Sequence, residues 1–248
     1  PVYWMVNVSF TQTRDLRADP PHWFPWDPTF EGYQAVFAQQ LPALATSLLV
    51  GLGCVLLTVV IAAPAGYALA LLHLRGGRTL NFLLLVAQMI PAVVMAMGFY
   101  AVYNNLGLLN TIPGLIVADS TVAVPFGVLL FTAFLRSVPA ELEQSARIDG
   151  ASTWQTFWRI VFPLLAPGVV ATAMFSFVSS WNEFFFALNL TAAQAATVPI
   201  FIVSTMTSEG LFLARLCAAA LLASLPVILA GWIAQKQLVR GLSMGAIK

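Results

Sequence analysis

The sequence predicts an all-α membrane protein, a polytopic bundle of transmembrane helices in a single domain that covers residues 1–248. Hydrophobic residues make up 60% of the chain and charged residues only 8%, whereas ordinary globular chains carry about 25% charged residues. The apolar runs approach the roughly 20 residues that a helix needs to cross a bilayer. They lack the period-two polarity of a transmembrane β-barrel. A soluble core could not hide this much apolar surface.

Six spans are predicted, the first only partly present. Residues 1–10 form an apolar stub, which we interpret as the end of span 1, and residues 11–40 form an external loop rich in proline and tryptophan. Residues 235–248 form a polar tail. The other spans are expected at about 41–72, 80–103, 116–135, 164–190 and 211–234, with kinks near Pro64, Pro91 and Pro125.

The positive charges give this bundle an orientation. Eight of the eleven Lys and Arg residues lie in loops and tails on one side of the predicted membrane, and the others are Arg14, Arg17 and Arg215. Short loops rich in Lys and Arg remain in the cytoplasm. We therefore expect the 73–79 loop, the 136–163 stretch and the C-terminus to be cytoplasmic.

The segment 139–163 is the longest polar interruption between spans after the N-terminal loop. Ser152 and Gln155 have the spacing of a capping box that starts a helix. Gly150, just before them, suits the C′ position that ends a preceding helix. The pattern predicts two short amphipathic helices joined by a glycine turn, and Pro163 is expected to end the second.

Several enzyme signatures are absent from the sequence. It contains no G-x-x-x-x-G-K-[ST] P-loop, no H-E-x-x-H and no G-x-S-x-G. The only histidines in the sequence are His22 and His73, so no set of His and Cys residues has the spacing of a metal site. No cluster of basic residues suggests nucleic-acid binding. We expect no enzyme activity, no bound metal or cofactor, and no nucleic-acid partner.

Segment 139–163 contains QSA at 144–146, then Gly150, then IVFP at 160–163, with nine residues between Gly150 and Ile160. This pattern resembles the EAA loop of ABC importer permeases, whose signature is E-A-A, three residues, G, nine residues and I-x-L-P. The stretch 147–152, RIDGAS, is similar to the carbohydrate branch. Other stretches that resemble the same permease family are AGYAL at 65–69, LGLLNT at 106–111, WNEF at 181–184, and GL and GAIK within 241–248.

The chain thus resembles the short-tailed permease of maltose-type carbohydrate importers, and this resemblance implies a type I importer permease fold. It implies half of a translocation pathway for a sugar or sugar-like solute in a bacterial-type inner membrane. The implied partners are a second related permease, membrane lipid, two copies of a cytoplasmic ATPase that holds ATP and Mg²⁺, and an extracytoplasmic solute-binding protein.

In this family the loop is a coupling helix seated in a cleft of the ATPase. Gln144 stands where the family has Glu, which removes a charge and one expected ion pair with the ATPase. The implied coupling residues are Glu143, Gln144, Ser145, Ala146, Arg147, Asp149, Gly150 and Ala151. The tail is expected to contact the ATPase at Gly241, Gly245 and Lys248, the alternative being a disordered cytoplasmic end.

A polar group in the fifth span suggests the solute pathway. Glu183 is an intramembrane carboxylate, which is by default a functional-site hypothesis. Ser176, Ser180 and Glu183 have the spacing of one helical face, and Phe177 or Trp181 could stack on a sugar ring. Alternatively, Glu183 pairs with a neighbouring helix or is solvated at the external interface. The candidate pathway residues are Ser176, Phe177, Ser180, Trp181, Asn182 and Glu183.

Other functions are open at this stage. The hairpin could be an ordinary amphipathic element that lies on lipid. The chain could be a secondary transporter with Glu183 as a proton or cation site, although no internal repeat supports this. A channel or a structural subunit has no filter-like signature to support it. Asp119, in span 4, is expected at the external headgroup level.

Overall fold

The computed structural model describes residues 1–72, 74–136, 138–192, 195–207, 210–211 and 213–246. Over this part of the chain the protein is helical, apart from a small antiparallel pair of strands, β1 (Met206–Thr207) and β2 (Gly210–Leu211). The helices are α1 (Val2–Phe10), α2 (Glu31–Leu71), α3 (Gly77–Ala87), α4 (Ala92–Leu106), α5 (Ile112–Leu135), α6 (Ala140–Ile148), α7 (Thr153–Thr156), α8 (Phe162–Leu164), α9 (Ala166–Trp181), α10 (Phe185–Leu190), α11 (Val198–Ser204) and α12 (Leu213–Ala246). A π-helical turn, Phe157–Val161, joins α7 to α8.

The predicted all-α membrane fold is confirmed. Three helices, α2, α5 and the Leu213–Gln237 part of α12, are long and apolar enough to cross a membrane. Two bent helix pairs raise the number of candidate spans to five if each pair counts as one span. The short apolar α1 precedes them in chain order, where the partial first span is predicted.

The second span begins earlier than predicted. α2 starts at Glu31, so the last ten residues of the 11–40 segment are helical rather than loop. Glu31 lies in the first turn of the helix, where the helix dipole favours a negative charge. The helix continues past Pro42 and Pro64 to Leu71.

The third span, predicted at about 80–103, is not one continuous helix. α3 ends at Ala87, α4 begins at Ala92, and their axes differ by 92°. Pro91 lacks an N–H and its ring clashes with the preceding turn. It also disfavours helical backbone at Ile90. The chain therefore breaks here instead of kinking.

The fifth span is also divided. α9 ends at Trp181 and α10 starts at Phe185, so the predicted 164–190 span is interrupted. The hairpin helix continues one residue past Pro163, to Leu164, because α8 follows directly on the π-helical turn. The bend comes one residue after α8, with an angle of 77° to α9.

α2 and α5 form the centre of the bundle and make its most extensive helix contact. Glycines allow the two backbones to approach closely. A Cβ on Gly66 would lie 2.7 Å from the Phe131 Cβ and 3.2 Å from the Thr132 nitrogen. A Cβ on Gly53 would lie 2.4 Å from Ile116 Cδ1. Small residues have this role in membrane helix pairs generally.

We predict that Gly66→Ala destabilises the protein by about 1–3 kcal/mol, the usual cost of overpacking a tight contact. Gly98→Ala is the matched control, because Gly98 is also helical but a Cβ there meets nothing within 4 Å. Alanine favours a helix over glycine by about 1 kcal/mol, so the control should be neutral or stabilising. Thermal unfolding in detergent should rank Gly66→Ala well below Gly98→Ala; equal melting temperatures would contradict the packing argument.

Candidate functional site

The turn of the predicted hairpin has the geometry that its sequence indicates. Gly150 has φ +81°, a conformation that glycine adopts without strain. The Gly150 N–H donates to the Arg147 carbonyl at 3.1 Å and the Ala151 N–H to the Ala146 carbonyl at 3.0 Å. Together these bonds form a Schellman motif.

The capping box that starts the second helix is confirmed. The Gln155 N–H donates to Ser152 Oγ at 3.3 Å, and the Ser152 N–H donates to Gln155 Oε1 at 2.9 Å. Each side chain satisfies a backbone donor that the helix start leaves without a partner. The turn and the cap together fix the angle at which α6 leaves α7.

α6 has one face toward the rest of the chain and one face outward. Glu143 and Ala146 are 9% and 3% exposed. Gln144 and Ser145 are exposed on the opposite face, and Ile148 is 86% exposed beside them. Ile148 is absent from the predicted coupling residues. Its spacing of three from Ser145 and four from Gln144 is the signal that places it on the same face.

Glu143 and Arg147 interact with each other. The Arg147 NH2 nitrogen lies 2.5 Å from Glu143 Oε1, one helical turn away. The Glu143 side chain is largely buried, and the phenol of Tyr67 on α2 is close enough to interact with it electrostatically. Asp149 and Gly150 remain exposed at the turn, and Ala151 is half-buried.

The second arm of the hairpin is anchored in the core. Phe157 and Val161, in the π-helical turn, are both almost fully buried in a cluster with residues of α2 and α5. The Phe157 ring lies 5.2 Å from that of Tyr67 between centroids. Trp154 and Trp158 are exposed on the other side. The hairpin therefore couples an exposed helix to the centre of the bundle.

The predicted tail is not a separate loop over its described part. The backbone of α12 is helical through Gly241 and Gly245 to Ala246. Lys248 lies outside the described residues. Contact between this end and an ATPase stays a prediction.

Asp119 is buried among the helices of the bundle, and its expected level in the membrane, at the external headgroups, stays a prediction. Its side chain is 6% exposed on α5 and accepts a hydrogen bond of 2.5 Å from Ser180 Oγ on α9. Leu115 and Ala123, four residues to either side, are also buried. That spacing puts Asp119 on the core face of α5 and could have revealed it in the sequence.

Glu183 caps a helix. Its Oε1 accepts from the Phe186 N–H at 2.8 Å and its Oε2 from the Ala187 N–H at 3.0 Å, in the first turn of α10. Because α9 ends at Trp181, the structure does not place Glu183 on one helical face with Ser176 and Ser180. Ser176 is fully buried.

A cavity of about 490 Å³ opens beside the α9–α10 junction, between this junction, α11 and α12. Trp181 and Asn182 line it, facing Ser224 of α12 across mostly apolar walls. The Phe177 and Trp181 rings pack 5.5 Å apart. Within the described part of the chain, no three His, Cys, Asp or Glu residues are grouped to hold a metal ion.

Residues 62–243 match the family described as the inner membrane component of binding-protein-dependent transport systems. The chain belongs to this family. It is accordingly a permease, the membrane component of an ABC importer, and not an enzyme, since separate ATPase subunits hydrolyse ATP. The family description places it in an inner membrane and implies a partner ATPase and a substrate-binding protein.

The permease is similar to sugar importer permeases over its full length. It is 35% identical to a diacetylchitobiose uptake system permease of Streptomyces coelicolor and 33% identical to a trehalose transport system permease of Mycobacterium tuberculosis, covering 91% and 92% of those proteins. A probable ABC transporter permease of Sinorhizobium fredii is 37% identical, with 100% of this chain and 90% of that protein covered.

The same fold occurs in a solved structure. A chain of a bacterial ABC transporter involved in the import of the acidic polysaccharide alginate superposes with a TM-score of 0.82. The match covers 95% of this permease and 89% of that chain at 22% sequence identity. It confirms the predicted importer permease fold.

We predict that Ser180→Ala destabilises the permease by about 1–3 kcal/mol, because it leaves a buried Asp119 oxygen without its donor. Ser179→Ala is the matched control on the same helix, since Ser179 is only half-buried. Thermal unfolding in detergent measures both. Combining Ser180→Ala with Asp119→Ala should cost less than the sum of the two single changes; strict additivity would show that the two side chains do not interact.

Proposed function

We propose that this permease forms half of the translocation pathway of an ATP-driven sugar importer. A second, related permease completes the pathway, two copies of a cytoplasmic ATPase bind below it, and an extracytoplasmic solute-binding protein delivers the solute. Relatives named for trehalose and diacetylchitobiose support a sugar as the solute class. ATP and Mg²⁺ belong to the ATPase in this proposal, and the permease itself binds no cofactor.

The observation that carries the coupling proposal is the outward face of α6. Gln144, Ser145 and the highly exposed Ile148 present a small polar and apolar surface on a helix whose other face is buried. A side chain as apolar as Ile148 gains from burial in a partner's cleft. The outward face of α6 is therefore the surface that we assign to the ATPase.

The charges of the hairpin fit a contact that depends on shape more than on ion pairs. Gln144 is neutral, and Glu143 already has Arg147 as its partner. Arg147 itself is half-exposed and Asp149 is exposed, so both remain available for polar contacts at the edge of the cleft. The helical end of α12, with Gly241 and Gly245, is a further proposed contact with the ATPase, as is Lys248. This arrangement places the C-terminus in the cytoplasm.

The cavity lined by Trp181 and Asn182 is the part of the chain that we assign to the solute pathway. An indole and an amide suit a sugar, because the ring can stack on the sugar face and the amide can bond its hydroxyls. Phe177 packs against Trp181, and the buried Ser176 and Ser180 are further proposed pathway residues. Glu183 has an indirect role in this proposal, because its carboxylate caps α10.

A secondary transporter with Glu183 as its ion site gains no support, since both carboxylate oxygens already accept backbone hydrogen bonds.

Reconstitution tests the proposal directly. Proteoliposomes with both permeases, the ATPase and the binding protein should take up radiolabelled trehalose, maltose or diacetylchitobiose only with internal ATP. Omission of the ATPase should abolish uptake. Uptake that persists without the ATPase and follows a proton gradient would overturn it.

Substitutions at Gly150 should separate coupling from folding. Gly150→Val should abolish transport and solute-stimulated ATP hydrolysis, because a β-branched residue resists φ +81°. Gly150→Asp and Gly150→Asn should retain more function than the valine variant, since Asp and Asn tolerate this region better.

Gly107→Val is the control for the Gly150 series. Gly107 also has a positive φ, +66°, with open space around it, and it ends α4. Its variant should suffer similar backbone strain yet keep the ratio of transport to ATP hydrolysis. A normal ratio in inserted Gly150→Val would contradict the coupling role.

Asn182→Ala should raise the KM for sugar uptake by about 2–10-fold, which corresponds to the loss of one hydrogen bond of 0.5–1.5 kcal/mol. Within the described part of the chain its Nδ2 donates to the Val178 carbonyl of its own helix, at 2.8 Å, and to no other group, so stability should hardly change. Asn189→Ala is the control, because Asn189 makes the same bond to Phe185, at 2.7 Å, away from this cavity. Equal effects of the two changes would remove Asn182 from the pathway.

A further inference from the structure

A second cavity, of about 430 Å³, lies at the end of the bundle that carries α6. It is bounded by the last turns of α2 and α5 and by the start of α3. Arg78 of α3 and Arg136 at the end of α5 line it, together with Asn81. The importer function described above uses none of these side chains.

The charge of this cavity is unbalanced. Its lining contains two arginines and no acidic residue. Among the described residues, neither Arg78 nor Arg136 forms an ion pair. The cavity therefore offers a site for an anion with several acceptor oxygens.

Asn81 adds a second requirement for the ligand. Its Oδ1 is buried and has no hydrogen-bond donor among the described residues. Burial of a carbonyl oxygen without a donor costs free energy. A ligand that carries a hydroxyl group as well as an anionic group would satisfy both Asn81 and the two arginines.

The surroundings of the cavity favour a lipid over a soluble anion. Its walls include Leu69 and Leu129. Just beyond Arg78, α3 exposes the apolar side chains of Leu80, Phe82 and Leu83. The arginines thus stand where an exposed apolar surface meets a polar helix end, which is the level of phospholipid headgroups.

We propose that this cavity binds the headgroup of an anionic, hydroxyl-bearing phospholipid such as phosphatidylglycerol. The phosphate accepts hydrogen bonds from Arg78 and Arg136, and a glycerol hydroxyl donates to Asn81. Basic pockets between membrane helices bind anionic headgroups in this manner. The lipid would join α3 to the ends of α2 and α5, next to the hairpin.

The test measures lipid bound to the purified full-length permease in detergent, by native mass spectrometry and by thermal shift. Phosphatidylglycerol, phosphatidylethanolamine and inorganic phosphate are the probes. Phosphatidylglycerol should remain bound and raise the melting temperature. Phosphatidylethanolamine and inorganic phosphate should bind far less and raise the melting temperature far less. Arg78→Gln with Arg136→Gln should weaken phosphatidylglycerol binding about 25-fold, since each arginine near a headgroup contributes about 1 kcal/mol.

Arg75→Gln is the matched control, because Arg75 is an exposed arginine just before α3 that does not line the cavity. It should bind the lipid like the unaltered chain. Should the double glutamine variant fail to fold, Arg78→Lys with Arg136→Lys keeps the charges and should keep most of the binding. Ala133→Trp, which fills the cavity from α5 and keeps both arginines, should then lose the lipid.

Four results would overturn the proposal. Unchanged phosphatidylglycerol binding by the double glutamine variant or by Ala133→Trp would remove the cavity as the site. Equal binding of phosphatidylethanolamine would remove the charge selectivity. Stabilisation by phosphate as strong as that by the lipid would indicate a free anion. If the variant with Arg78→Gln and Arg136→Gln kept the lipid but no longer assembled with the ATPase, the two arginines would belong to a protein interface instead.

Discussion

The close approach of α2 and α5 is the constraint on which the rest of the permease depends. Lipid tails are as apolar as leucine, so helices in a bilayer associate through close packing more than through the hydrophobic effect. Gly66 and Gly53 allow this contact from α2. Gly127 allows it from α5, at a point where a Cβ would be 3.0 Å from Thr58 of α2 and 3.1 Å from Thr172 of α9. α9 therefore packs correctly only if α2 and α5 already do.

Single polar bonds complement this packing by fixing how the helices are placed relative to one another. Gln40 of α2 donates to the Ala219 carbonyl of α12 at 2.9 Å, and the Val198 N–H of α11 donates to Ser47 of α2 at 2.9 Å. The Ser180–Asp119 bond does the same for α9 and α5. Apolar helix surfaces tolerate small rotations and shifts, whereas a buried polar group that loses its partner costs free energy. These bonds thus select one arrangement among several that packing alone would allow.

The features that local patterns determine could be predicted from the sequence. Composition determines the fold class, and short-range backbone chemistry determines the capping box and the Gly150 turn. The sequence predicts only a kink at Pro91, where the helix breaks. It also misses the interruption between Trp181 and Phe185, because the apolar residues on both sides of the short polar stretch 179–183 were assigned to one span. The burial of Asp119 was also missed, although its spacing of four from Leu115 and Ala123 indicates a core face. Similarly, α6 exposes Ile148 because its other face meets the bundle, which depends on tertiary structure.

The anchoring of the hairpin restricts how a movement of α6 can reach the membrane. Phe157, Val161 and Leu165 are buried in one cluster with Tyr67 of α2 and Phe131 of α5. Close-packed interiors do not deform continuously, so the hairpin cannot shift alone without opening a cavity in this cluster. Gly66 adjoins Phe131, so the same cluster continues into the tight α2–α5 contact. A force on α6 is therefore transmitted to α2 and α5 together.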